Sequence, residues 1–104
     1  MAQLKIVWTV TAVNQRNSIF KYWNERNKST LYSKKLAGKI KERLSLLQQN
    51  PNMGKPTTFR DSRTISMGHY SIIYKFNEFQ IIVSAFWDTR QDPKKLIEIL
   101  KENL

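Results

Sequence analysis

The first third of the chain changes from an alternating pattern of apolar residues to a helical one. Residues 4–10 alternate and are rich in β-branched and aromatic side chains, which predicts a first strand. From about Ala12 the apolar residues fall at spacings that suit one helical face: Val13, Ile19, Phe20 and Trp23. Residues 27–30 are polar and predict a short connection, in which Ser29 or Thr30 can cap the next helix.

The second helix has the clearest signature in the sequence. Its apolar residues repeat at steps of four, four and three: Leu36, Ile40, Leu44 and Leu47. At 100° per residue they cover about 100° of the helix circumference, which is the width of a buried face. Asn50 and Pro51 are expected to end this helix, because the residue before a proline avoids helical geometry.

Beyond residue 56 the period of the apolar residues changes to two, which is typical of strands. Four segments are predicted to be strands: residues 57–59, 64–67, 70–76 and 79–86. The apolar runs in the last two predict central strands buried on both faces, and Asn77-Glu78 between them predicts a tight hairpin. Asp92-Pro93 predicts the start of a short helix whose inner face is Leu96, Ile97 and Leu100.

These elements predict an α+β fold of the order β-α-α-β-β-β, followed by a short C-terminal helix. We expect the two long helices to form a hairpin that packs on one face of a small, mostly antiparallel sheet. The 104 residues suit one domain over residues 1–104. A chain of this length has a thin core, so that a bound partner could supply much of its stability.

Several kinds of site are excluded by composition. The sequence has no cysteine and a single histidine, His69, which rules out disulfides, thiolate zinc sites and multi-histidine metal sites. No apolar run approaches the roughly 18 residues that a membrane span needs, and the N-terminus lacks the long apolar core of a signal peptide. We therefore expect a cytoplasmic protein with no cofactor and no membrane contact.

Charge indicates the kind of partner. Eighteen Lys and Arg residues face eight Asp and Glu residues, so the formal net charge is +10 and the sequence pI is about 10.1. Such a field attracts nucleic acid, an anionic membrane or an acidic protein segment. Part of the charge lies on the second helix, and the predicted nucleic-acid-binding residues are Lys34, Lys35, Lys39, Lys41, Arg43 and Arg60. On that helix a solvated face explains the lysines equally well.

Two stretches of the sequence resemble motifs of the RelE/ParE toxins. The first is RTISMGHYSIIYKF, residues 63–76, which is similar to the family's Arg-rich strand, Gly-x-Tyr step and following apolar strand. The second is IIVSAFWDTRQDPKKL, residues 81–96, which is similar to its last strand and a motif of one branch. The resemblance implies a toxin of a type II toxin–antitoxin system. It also implies a cognate acidic antitoxin that forms a hetero-oligomer with the toxin, and either the ribosome and mRNA or DNA gyrase as target.

Ribonuclease members of this superfamily cut mRNA in the ribosomal A site. Such cleavage needs a permanent positive charge on the phosphate, which arginine supplies, and a group that transfers protons near neutral pH, which histidine supplies. The candidate catalytic residues are Arg63, His69, Tyr70 and Arg90, and strand pairing is expected to bring them together. Each has a structural alternative: Arg63 in an ion pair with an acid such as Asp61 or Glu78, His69 in a turn, Tyr70 in the core, and Arg90 in an ion pair with Asp88 or Asp92.

The sequence also departs from the ribonuclease pattern. Thr64 and Ser66 stand where many ribonuclease members have a second arginine, and no tyrosine closely follows Arg90. ParE-type members also lack that set and poison DNA gyrase without cutting RNA. Three functions stay open: ribosome-dependent mRNA cleavage, which is the first expectation, non-enzymatic inhibition of gyrase, and nucleic-acid binding without toxicity. Under the first, Arg63→Ala is expected to relieve growth arrest and leave folding intact.

Overall fold

Three α-helices and five strands follow one another in residues 3–102, the part of the chain that the computed structural model describes, with side chains through residue 101. Their bounds in chain order are β1 Lys5–Trp8, α1 Val10–Asn27, α2 Leu31–Gln49, β2 Lys55–Pro56, β3 Arg63–Met67, β4 Tyr70–Phe76, β5 Gln80–Asp88 and α3 Pro93–Glu102, with a short 3-10 turn, Pro51–Met53, after α2. The predicted α+β class and order of elements are confirmed.

The strands form one sheet in the order β1-β5-β4-β3-β2. The first strand lies parallel to the last, with Lys5 opposite Gln80 and Trp8 opposite Val83. The other neighbours are antiparallel, and a register shift in the β4–β5 pair lies between Ile73 and Tyr74. The sheet is thus mostly antiparallel, as predicted, and β1 is an edge strand.

Local hydrogen bonds fix the ends of the helical hairpin. Thr9 caps α1, because its side-chain oxygen accepts a 3.1 Å hydrogen bond from the Ala12 amide. The left-handed residue Lys28 (φ 51°) ends that helix. Of the two predicted caps for α2, Ser29 makes the side-chain contact: its Oγ accepts from the Leu31 amide at 3.1 Å. The helix ends before Pro51, as predicted.

The main core lies between the helical hairpin and the sheet. The four apolar residues predicted for the inner face of α2 are all buried: Leu36, Ile40, Leu44 and Leu47. They belong to one cluster with Ile72 and Tyr74 of β4 and with Ile81, Val83 and Phe86 of β5. Deleting such buried side chains typically costs about 2–5 kcal/mol, so this cluster supplies much of the stability that holds the sheet to the hairpin.

A second cluster covers part of the outer face of the sheet, where α3 packs. It contains Ile73, Ala85, Trp87 and Leu100, with Phe59, Leu96 and Ile99 against them. Burial of both faces of β4 confirms the interpretation of its continuous apolar run. The predicted inner face of α3 was wrong at Ile97, which is 39% exposed at the rim of this contact, whereas Ile99 packs against the cluster with Leu96 and Leu100.

The predicted strand over residues 57–59 was also wrong, because these residues enter a tight turn. The Thr57 hydroxyl accepts from the Phe59 amide at 3.1 Å, and the Thr57 amide donates to the Ser62 carbonyl at 2.9 Å. Local hydrogen bonding by a threonine side chain competes with strand pairing. Arg60 (φ 20°) and Asp61 (φ 47°) then turn the chain through left-handed geometry.

The hairpin predicted at Asn77-Glu78 is confirmed. The Asn77 side-chain oxygen accepts from the Phe79 amide at 2.8 Å and from the Gln80 amide at 3.0 Å. Asp92 caps α3 before Pro93, also as predicted, through a 3.0 Å hydrogen bond from the Lys94 amide. Within residues 3–102, no helix is long and apolar enough to cross a membrane.

Candidate functional site

The core of the candidate site is the pair of Tyr70 and Trp23. Tyr70 begins β4 and is only 4% exposed, with its ring stacked on Phe86 at a centroid distance of 5.2 Å. Its hydroxyl oxygen accepts a 2.8 Å hydrogen bond from the Trp23 indole nitrogen. Burial raises the pKa of Tyr70 above its ordinary value. The phenol therefore stays protonated at neutral pH, and its own proton is available to a ligand.

Asp88 and Arg90 lie beside this phenol, at the end of β5. Arg90 donates to both carboxylate oxygens of Asp88, at 2.9 Å from Nε and 2.8 Å from Nη2, and its amide donates to the same carboxylate at 3.0 Å. These hydrogen bonds hold the pKa of the Asp88 carboxyl below its usual value. The predicted alternative of an ion pair with Asp88 is confirmed. Because the pair is bidentate, much of the charge of Arg90 is already compensated.

His69 lies in the two-residue turn between β3 and β4. Gly68, the first residue of the turn, has φ 69°, and the flanking residues Met67 and Tyr70 pair with each other. This is the geometry of a tight hairpin that needs glycine at its first turn position. The His69 carbonyl accepts from the amide of Thr89 at 2.8 Å and from its hydroxyl at 2.9 Å. The imidazole is exposed. Turn placement, the structural alternative for His69, is therefore confirmed.

Strand pairing brings His69, Tyr70 and Arg90 to one end of the sheet, as expected, but leaves Arg63 at the other. Arg63 pairs with Tyr74, four positions from the Met67–Tyr70 pair. At about 3.3 Å per residue this is about 13 Å along the strand. The Arg63 guanidinium donates to the carbonyl oxygens of Gly54 at 2.7 Å and Asn52 at 3.2 Å.

Tyr74 bonds to the same backbone segment as Arg63, the residues between α2 and β2. Its hydroxyl donates to the Pro51 carbonyl at 2.6 Å and accepts from the buried Gly54 amide at 3.0 Å. Burial raises the pKa of this phenol. Together the two side chains bond to the carbonyls of Pro51, Asn52 and Gly54 and to the Gly54 amide, in the segment that joins α2 to the sheet.

An aromatic cluster next to Tyr70 was not predicted as functional. Trp23, which sequence periodicity placed in the core, is half-buried, with Tyr22 at 5.1 Å and Tyr32 at 4.7 Å between ring centroids. The Arg26 guanidinium lies 5.8 Å from the Trp23 ring, and its Nη1 donates to the Tyr22 hydroxyl at 3.3 Å. The sequence signal that could have indicated this cluster is the spacing of Tyr22 and Arg26 by one helical turn.

A cavity of about 430 Å³ connects the cluster to the ion pair. Its lining includes Tyr22, Tyr70, Asp88 and Arg90, with Ser18, Ile19 and Gln91 completing it. We call this cavity and the rings around it the aromatic–arginine surface; its members are Tyr22, Trp23, Arg26, Tyr32, Tyr70 and Arg90. In residues 3–102 no three His, Asp or Glu side chains come together as a metal site.

The predicted basic residues lie on α2 and in the turn after β2, and none of them lines the cavity beside Tyr70. The four lysines at positions 34, 35, 39 and 41 are exposed. Arg43 is half-buried, and its Nε donates to the Ser66 carbonyl at 3.4 Å, which ties α2 to β3. Arg60 is exposed in the left-handed turn after β2.

A larger groove opens between α1, α2 and the edge strand β1. Its volume is about 580 Å³, its floor includes Ile6, Phe20 and Leu44, and Arg16 and Lys41 lie on its lining. Arg16 stacks over the Trp8 ring at 4.7 Å. Apolar side chains and cations therefore meet beside β1.

Comparison with known proteins agrees with this architecture. A sequence model of the family described as ParE toxin of type II toxin-antitoxin system, parDE, matches residues 6–93. The fold is similar to a chain of the chromosomal ParDE TA system from P. aeruginosa, with a TM-score of 0.68 and 19% identity. That match covers 81% of this chain and 94% of the other. No curated protein sequence matches.

The fold is thus that of the RelE/ParE superfamily of toxins. Within it, the chain belongs to the ParE toxin family of type II toxin–antitoxin systems. Membership implies an antitoxin partner.

Proposed function

We propose that this toxin arrests growth by binding its target without cleaving RNA, and that the target is DNA gyrase, as the likeness to ParE implies. The observation that carries the proposal is the position of Arg63. Sequence reasoning made it the principal phosphate-binding residue of a ribonuclease. Its guanidinium is bonded to two backbone carbonyls, and its strand position lies about 13 Å from the Met67–Tyr70 pair.

Cleavage chemistry requires its groups at one phosphate. A transition-state donor acts from about 2.7–3.1 Å, and a general acid or base from a similar distance. The remaining arginine of the predicted set, Arg90, holds Asp88 in a bidentate pair. These contacts support structural roles for both arginines.

The aromatic–arginine surface supports a binding mechanism. Tryptophan, tyrosine and arginine are the residues most enriched at interface hot spots. Tyr22 is 53% exposed and Tyr32 38% exposed, and both contact the Trp23 ring. Arg26 holds Tyr22 in place by a hydrogen bond. A partly preorganised surface of this composition loses little entropy on binding.

The second candidate is the expected ribosome-dependent mRNA cleavage, and the shared position of His69, Tyr70 and Arg90 favours it. In this mechanism His69 would transfer protons, because its imidazole is exposed. Tyr70 would donate its free phenol proton, and Arg90 would exchange Asp88 for phosphate.

Two assays on the same protein separate these functions. DNA supercoiling by purified gyrase is expected to fall when the toxin is added, and primer extension after induction is expected to show no new mRNA ends. The Tyr22→Ala variant, which removes an exposed ring, is expected to weaken gyrase inhibition at least tenfold and leave thermal unfolding unchanged. New mRNA ends together with unaffected supercoiling would reverse the assignment in favour of cleavage.

We further propose that the groove beside β1 takes an acidic, amphipathic segment of the antitoxin. The chain carries a net charge of +10, and Arg16 and Lys41 line an apolar floor. Ala37→Glu, which places an acid in this lining, is expected to weaken the complex, whereas Gly38→Glu adds the same charge outside it. The measurements are affinity and the rise in unfolding temperature on adding antitoxin. Equal effects of the two variants would place the antitoxin elsewhere.

A further inference from the structure

A second cavity lies on the opposite side of the sheet, away from both the aromatic–arginine surface and the groove. Its volume is about 310 Å³, and it lies between α3 and the turn at residues 57–62. Apolar side chains dominate its lining: Phe59, Ile73, Trp87, Pro93, Leu96, Ile97 and Leu100. This volume is at the lower end of the range of about 300–1,000 Å³ found for small-molecule sites.

Both walls of this cavity are held in place by contacts outside it. On one side, the Ser62 amide donates to the Phe59 carbonyl at 2.9 Å, and the Lys75 ammonium lies 5.8 Å from the centre of the Phe59 ring. On the other, the capped start of α3 fixes the helix, and Leu100 is buried in the outer cluster. A preformed site of this kind spends little free energy on ordering when it binds.

The lining carries no charge. All twelve lining residues are neutral, and the polar ones are hydroxyls of Thr57, Thr58, Thr64, Ser71 and Thr89. Moving a charged ligand from water into such a lining costs far more than moving a neutral one. In a protein of net charge +10, a neutral cavity also discriminates against the anions that the rest of the surface attracts.

Three of these hydroxyls, those of Thr58, Thr64 and Ser71, make no hydrogen bond to the residues that the structure describes. Thr58 is exposed, whereas Thr64 and Ser71 are more enclosed. Ser71 is 7% exposed and lies on the outer face, since Tyr70 and Ile72 on either side point into the main core. Thr64 lies on the neighbouring strand, opposite Ile73. Neither Oγ of Ser71 nor Oγ1 of Thr64 makes a hydrogen bond within residues 3–101. Both residues line the cavity, so their unbonded hydroxyls can bond to a ligand there.

We infer that this cavity binds a small, neutral aromatic compound that carries one hydrogen-bonding group. The Phe59 and Trp87 rings supply aromatic walls, and aromatic pairs gain energy beyond their buried area. Ser71 and Thr64 supply the polar contact that fixes the orientation of the ring. The site does not depend on the mechanism by which the toxin arrests growth.

Indole is the probe, because it is neutral, has one ring system and has one N–H donor. Titration into the full ¹⁵N-labelled chain is expected to give saturable amide shifts confined to residues 57–64, residues 71–73 of β4, the end of β5 and α3. Indole-3-acetate and tryptamine, which add a negative and a positive charge, are expected to bind at least about tenfold more weakly. Shifts that do not saturate, or that map to the helical hairpin, would overturn the inference.

Matched variants test the lining itself. Ile97→Trp fills the cavity from the partly exposed side of α3 and is expected to abolish indole binding, whereas Leu31→Trp adds the same ring at an exposed position of α2 and is expected to leave it intact. Ser71→Ala is expected to weaken binding by about 2- to 12-fold, the equivalent of one neutral hydrogen bond. Thr64→Val provides the same test if Ser71→Ala fails to fold. Unchanged affinity in Ile97→Trp would refute the site.

Discussion

Replacing Arg63 by alanine is expected to destabilise the fold, which differs from the result expected of a dedicated catalytic residue. The Arg63 guanidinium bonds to the carbonyls of Gly54 at 2.7 Å and Asn52 at 3.2 Å. A hydrogen bond from a charged donor typically contributes about 1.5–3 kcal/mol. Because Arg63 is partly exposed and its second bond is long, we expect a loss of about 2 kcal/mol. For a domain of this size that lowers Tm by about 8–16 °C.

Tyr74→Phe is the matched control, because it removes the same anchor without changing charge. Its hydroxyl bonds to Pro51 and Gly54, and its loss leaves the buried Gly54 amide without a partner, at a cost of about 1–3 kcal/mol. Thermal unfolding and growth arrest are measured for both variants. Both are expected to lower Tm, and to arrest growth at low temperature, where both stay folded.

A different pair of results would refute this reasoning. If Arg63→Ala abolished growth arrest at an unchanged Tm, and Tyr74→Phe arrested growth like the parent, Arg63 would act on the target and the backbone contacts would be incidental. The ribonuclease function would then regain its principal phosphate ligand.

Three further results are expected from changes in stability, and one from a change in binding. Gly54→Ala should destabilise by about 1–3 kcal/mol, because the new Cβ would lie 2.9 Å from the Thr64 carbonyl oxygen. Gly38→Ala, at an exposed helix position with open space around the new Cβ, should stabilise the fold by about 0.5–1 kcal/mol. If urea unfolding showed that both glycine variants stabilise the fold, or that both destabilise it, this pair of expectations would be contradicted. The lowered pKa of Asp88 favours the folded state above its ordinary pKa of 3.8, and this stability is lost as pH falls through the folded-state pKa. Asp88→Asn should therefore flatten the fall in unfolding free energy below about pH 4, and a parent-like slope would show that the ion pair contributes nothing. Three exposed lysines of α2 are to be replaced by glutamine: Lys34, Lys35 and Lys39. The slope of log affinity for single-stranded DNA against log salt concentration should then fall by about 0.7 for each phosphate that is no longer neutralised. An unchanged slope would identify a merely solvated face.

Periodicity predicted the long elements well because burial alone specifies them. The apolar face of α2 is set by contact with the main core, and the run of β4 by contact with the clusters on both faces of the sheet, so that spacing along the sequence carries the information. Residues 57–59 show the opposite case. Threonines and an aromatic residue favour a strand by propensity, but the side chain of Thr57 bonds to the backbone two residues later, and this local competition leaves no periodic signal.

The candidate site was predicted in part, for a related reason. The association of Tyr70 with Asp88 follows from strand register, and a motif that spans two paired strands places such residues near one another. The Trp23–Tyr70 hydrogen bond joins a helix to a strand 47 positions later. The angle at which the hairpin packs on the sheet determines that contact, and sequence spacing does not encode this angle. Likewise, nothing in the sequence distinguishes an arginine that binds phosphate from one, such as Arg63, that binds backbone carbonyls.

The parallel pairing of β1 with β5 has a consequence for when the sheet can be completed during synthesis. Lys5 pairs with Gln80, and Trp8 with Val83, so the sheet cannot close until the ribosome has made β5. Contacts this distant in sequence form late, because the entropic cost of closing the long loop must be met before pairing yields any gain. The helical hairpin, whose contacts are local, can form earlier. Asp88 and Arg90 belong to the same late segment as β5, so unfinished chains lack a complete aromatic–arginine surface. If that surface carries the activity, as proposed above, a cell that translates this protein is exposed to it only after residue 90 has been made.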